Sequence, residues 1–70
     1  MTDTKRLNEI IKASGFKKKA LAERVGLSPL GLANKVNGKT EFKSGEIKKL
    51  AAALGITDPQ DICEIFFANN

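Results

Sequence analysis

At 70 residues, 41% hydrophobic and 29% charged, the chain has the balance of one small folded domain spanning residues 1–70, which excludes disordered and membrane-spanning classes. A single cysteine excludes an internal disulfide, and the absence of histidine excludes zinc sites, Cys-His dyads and histidine general bases. Residues 1–49 carry all 12 Lys/Arg and five acids, net +7, whereas residues 50–70 carry three acids and no base, which sum to the formal +4.

The apolar spacing is helical throughout, with no period-2 alternation, and divides the chain into five short helices. Thr2 or Asp3 caps the first, which carries Leu7, Ile10 and Ile11 on one face and stops at Gly15. Phe16 staples the start of the second, about Lys18 to Val25, with Leu21, Ala22 and Val25 inward and Gly26 at its end. Leu27 is a one-residue spacer. Ser28 caps the third helix with Pro29 at its first position, where a missing N–H costs nothing, and Asn37-Gly38 closes it. The turn KTEFK follows, anchored by Phe42. Ser44 caps a fourth helix bearing Ile47, Leu50, Ala51 and Leu54, ended by Gly55. Asp58-Pro59 starts a fifth, with Asp58 and Asp61 at its positive end and Ile62, Ile65 and Phe66 inward. The expected fold is all-α, a compact five-helix bundle.

Helices two and three are separated by a few residues, in the order Ala22, three residues, Gly26, five residues, Leu32. A small Ala22 lets the helices cross closely, Gly26 can take a positive φ in a tight turn, and Leu32 buries the third helix on the second. This is helix-turn-helix spacing, whose second helix enters the DNA major groove. On a wheel of about 100° per residue, Leu32 and Val36 define the inward side of the third helix. Leu30, Asn34 and Asn37 then fall roughly opposite, with Lys35 at the edge. Asn can bond adenine bidentately and a Leu methyl can touch a thymine methyl, so this face points to A·T pairs. Asn37, before Gly38, reads better as a helix terminator than as a base reader.

The lysines carry the stronger signal. Lys17, Lys18 and Lys19 stand at a helix start, where the dipole disfavours each cation by about 0.3–1 kcal/mol. A phosphate held by helix N–H groups and lysines would relieve that strain. Lys39, Thr40 and Lys43, after the third helix, are further phosphate candidates. For Lys48 and Lys49 a solvated face is the better reading. The segment ICEIFF places Ile62, Ile65, Phe66 and Phe67 within six residues, more than one helix face can hide. Phe66 is expected to close the core and Cys63 to be a small core or interface residue. Ile62, Cys63 and Phe67 form either a dimer contact or packing against the first helix.

GFKKKALAERVGLSPLGLANKVNGK resembles the helix-turn-helix of the lambda-repressor-like, Cro-type family of bacterial and phage regulators, matching its LAxxxG-(V/L)-S core and NGK closing turn. EIKKLAAALGI resembles the fourth helix of that family, so the resemblance covers about residues 5 to 56. It implies a five-helix DNA-binding domain, usually dimeric on a pseudo-palindromic operator, in which the start of the second helix, here Lys17 and Lys18, approaches a phosphate. Two departures stand out. Positions 35 and 36, commonly apolar then acidic, are Lys35 and Val36, and positions 29 to 31, often polar, are Pro29, Leu30 and Gly31.

The resulting expectation is a Cro-like phage or prophage repressor. Lys17, Lys18, Lys39, Thr40 and Lys43 would hold phosphates, and Leu30, Asn34 and Lys35 would face bases. Its partners would be double-stranded DNA and a second copy in a weak homodimer, with no metal, cofactor, small-molecule ligand or membrane. With no signal peptide or apolar run of about 20 residues, the expected location is the bacterial cytoplasm. A chain of this length leaves no room for a sensing domain, so control by occupancy of overlapping sites is expected. The alternative is a helical protein-interaction module, an antirepressor or antitoxin-type partner, on the same scaffold. Eight scattered acids form no catalytic set, so an enzyme is not expected.

Overall fold

The computed structural model describes residues 1–68. Five helices follow in order: α1 (Thr4–Ser14), α2 (Lys18–Val25), α3 (Pro29–Val36), α4 (Ser44–Leu54) and α5 (Pro59–Phe66), with no strand among the described residues. Local cap chemistry explains most of these boundaries. Asp3, rather than Thr2, caps α1, its carboxylate accepting the Arg6 N–H at 3.1 Å. Ser28 Oγ accepts the Gly31 N–H at 3.0 Å, and Asp58 accepts the Gln60 N–H at 2.9 Å. The start of α4 differs from expectation by one residue. Ser44 is already helical, Lys43 holds the capping position, and the Glu46 carboxylate reaches back to accept the Lys43 N–H at 2.8 Å. The reason is that Glu46, at the third helical position, supplies the acceptor that a serine would otherwise provide.

The periodic apolar residues meet in one core. Leu7 and Ile11 of α1, Leu21, Ala22 and Val25 of α2, Leu32 and Val36 of α3, Ile47 and Leu50 of α4, and Ile65 and Phe66 of α5 are all buried in a single cluster. Helix α2 lies against both α3 and α4, and α1 touches α3, α4 and α5. Phe42 is the anchor expected of the KTEFK turn: its ring meets Phe66 edge-on, centroids 5.4 Å apart at 88°. Ile10, Leu54 and Ile62 are only partly buried at the margin of the core.

Helix α5 docks on α1 through the Asp3 N–H, which donates to the Ile65 carbonyl at 2.6 Å, and through Arg6, which faces Glu64 at 3.4 Å and Asp61 at 3.7 Å. Part of the acidic tail is thus paired with α1. Phe66 closes the core and Phe67 is 54% exposed. Cys63 is exposed on α5, so of its two readings, core or interface residue, the core one does not hold.

Candidate nucleic-acid interface

The junction of α2 and α3 builds the site. Gly26 takes φ +81°, and the backbone folds back so that Leu27 N–H donates to the Ala22 carbonyl at 2.9 Å. That six-residue closure ends α2 sharply and lets Ser28 begin α3 two residues later. Ala22 is fully buried and Leu32 nearly so, leaving the two helices in close contact. Val36 is buried as well, so the seam of α3 runs through positions 32 and 36.

The opposite side of α3 is open. Leu30 is 71% exposed, among the most exposed large apolar side chains described. Asn34 is half-buried, and its side-chain amide has no hydrogen bond to any described residue. Its backbone carbonyl accepts from Lys39 N–H at 2.8 Å and from Thr40 N–H at 3.4 Å, which ties the turn carrying these two exposed residues to the end of α3. Asn37 sits at the C-cap and donates its N–H to Ala33, in keeping with a terminating role.

Lys35 has a different place from the one expected. Its ammonium is bound to the Glu46 carboxylate of α4, and its side chain is only 13% exposed. Lys35, expected among the base-facing residues, is thus held by α4, and α3 has no unpaired cation in this structure. Glu46 serves two donors at once, Lys35 Nζ and the Lys43 N–H. The hydrogen bond from Lys35, then the one from the Lys43 backbone, hold its carboxyl below its ordinary value near 4.5. Lys43 itself is exposed, at the start of α4.

The start of α2 is electrostatically unusual. Lys17 occupies the N-cap with no side-chain acceptor there, and no acid stands in the first turn. Lys17, Lys18 and Lys19 are exposed and form no ion pair with any described residue. Cations and unbonded N–H groups at a positive helix end together make a local anion site. Structure thus gathers Lys39 and Thr40 around Asn34, and Lys35 and Lys43 around Glu46. No hydrogen bond or ion pair links Lys17–Lys19 to either group. The sequence reading missed Glu46, whose spacing three residues after Lys43 signals a cap but not the pairing with Lys35. Lys49, read as part of a solvated face, is exposed, and its ammonium stands 3.9 Å from where a Cβ on Gly26 would lie, beside the α2–α3 turn.

Among the described residues no cluster of three or more His, Cys, Asp or Glu could hold a metal, and no helix is long and apolar enough to cross a membrane. The sequence profile of the Cro/C1-type HTH DNA-binding domain matches residues 6–67. Comparison with curated proteins returns no match. With nearly the whole chain covered by that profile and the α2–α3 geometry in place, the protein belongs to the Cro/C1-type helix-turn-helix family of DNA-binding domains.

Proposed function

We propose that the chain acts as a Cro-like phage or prophage repressor in a bacterial cytoplasm, laying α3 in the major groove of double-stranded DNA. Lys17, Lys18, Lys39, Thr40 and Lys43 hold phosphates, Leu30 and Asn34 meet base edges at A·T pairs, and Lys35 stays within the scaffold. Two copies, weakly paired, sit on successive major grooves about 34 Å apart. The observation that carries this reading is the exposed, unpaired Lys17–Lys19 run at the start of α2, combined with an outward Leu30 and an Asn34 amide unclaimed by the fold.

The test is duplex binding by fluorescence anisotropy against salt. Each phosphate contact contributes about −0.9 to the log–log slope, so five per protomer give about −4.5. Lys18→Ala weakens operator and random duplex alike and makes the slope shallower by about 0.9. Asn34→Ala weakens only an operator obtained by selection, and an equal loss on random duplex removes it as a base reader. Negligible, salt-independent binding sinks the repressor reading and favours a protein-interaction module using the exposed Leu30.

A further inference from the structure

The Lys35–Glu46 pair joins the only cation on α3 to the first turn of α4. Both side chains are largely withdrawn from solvent, at 13% and 16% exposure. The Glu46 carboxylate is anchored a second time by the Lys43 N–H at 2.8 Å. It therefore holds a fixed position on α4, and Lys35 reaches it rather than the reverse. A lysine freed at the edge of this helix would carry a strongly hydrated point charge on a four-carbon stem. Such a charge attracts any phosphate, with no regard to sequence. The lowered carboxyl pKa keeps Glu46 ionised through the neutral range, so the pair persists there.

We propose that Glu46 is a specificity-determining positioning residue, which keeps Lys35 off the DNA so that α3 presents Leu30 and Asn34 without a charge of its own. This rests on the DNA-binding reading above. Glu46 touches no base or phosphate; it acts through Lys35. Freeing Lys35 adds a sequence-blind contact, which raises affinity for all DNA and narrows the gap between operator and random sites.

The experiment measures salt-dependent binding of selected operator and random duplex by Glu46→Gln and by the double variant Lys35→Met/Glu46→Gln, with thermal unfolding of each. The substituted amide retains an acceptor for the Lys43 N–H but not the charge that holds Lys35. In folded Glu46→Gln, the slope on random duplex should steepen by about 0.9, one added phosphate contact. Affinity for random duplex should rise and the operator-to-random ratio fall. In the double variant the slope should return to the wild-type value. Replacing a largely buried pair by neutral groups is often well tolerated, so this variant remains a test if Glu46→Gln does not fold. An unchanged slope in folded Glu46→Gln overturns the proposal. So does a steepening that persists in the double variant, or a double-variant slope about 0.9 shallower than wild type, which would mean that Lys35 already contacts DNA. Absence of DNA binding by the wild-type chain removes the repressor reading and this inference with it. Wild-type binding with an unchanged variant slope removes this inference alone.

Discussion

Gly38 closes α3 at φ +80°, and a Cβ placed there would lie 3.2 Å from Thr4 Cγ2 at the start of α1. Gly38→Ala therefore meets two separate costs. The left-handed conformation costs a residue with a Cβ about 1–2 kcal/mol. The contact is tighter than the roughly 3.5–4.0 Å optimum for carbon pairs, and relieving it moves the turn or α1 at a further cost of about 1 kcal/mol. The sum, about 2–3 kcal/mol, is a large share of the roughly 3.5–10 kcal/mol expected for a domain of this length. At about 4–8 °C per kcal/mol, the melting temperature should fall by about 8–24 °C. Thr4→Ser deletes Cγ2, so introducing Gly38→Ala into that background should cost only the conformational part. Urea and thermal unfolding of the four chains, followed by circular dichroism, measure both parts. A loss below about 0.5 kcal/mol would refute the conformational cost, and equal losses in the two backgrounds would refute the contact. The position matters for the site because Lys39 and Thr40 follow it directly and bond to Asn34.

Glu46 gives the fold a pH dependence of definite sign. Its folded pKa lies below its ordinary value near 4.5, so the unfolded chain binds the proton more readily. Its contribution is complete above that ordinary value and is lost as pH falls through the folded value. The melting-temperature difference between wild type and Glu46→Gln should be constant from pH 7 to about 5.5 and shrink below about 4.5; a constant gap down to about pH 3 contradicts the assignment. Leu50 is fully buried on α4, in the same core cluster as Leu21 of α2. Leu50→Ala should cost about 2–5 kcal/mol, enough to leave a substantial unfolded fraction at about 37 °C in denaturant titration. A loss under about 1 kcal/mol would mean that the α2–α4 contact is not central to the fold.

The five helices were legible because their signals are local. Caps act within a few residues, and a helical period can be counted along the chain. Asp3, Ser28 and Asp58 are read this way, as is the buried Leu32/Val36 seam that departs from the family's usual spacing. The basic run at Lys17–Lys19 was also legible, since a cation at a helix start is anomalous wherever the helix lies. Where local signals compete, the boundary moved: Ser44 yielded the cap of α4 to an acceptor from Glu46, at the third helical position.

The amino-acid sequence by itself therefore determined which segments are helical, which faces are apolar, and that two helices meet at a glycine turn. Tertiary structure alone decided the partners of side chains whose reach exceeds one helix. Lys35 looked like an edge residue of α3 until α4 brought Glu46 beside it, eleven residues away in the chain. Arg6 found Glu64 across 58 residues, a pairing no local pattern announces, whereas Phe66 was already expected from the sequence to close the core. Helical periodicity specifies an angle around one axis, whereas a long charged side chain samples several positions at one angle. Which position it keeps depends on the neighbouring helix, and at Lys35 that dependence leaves α3 without an unpaired cation.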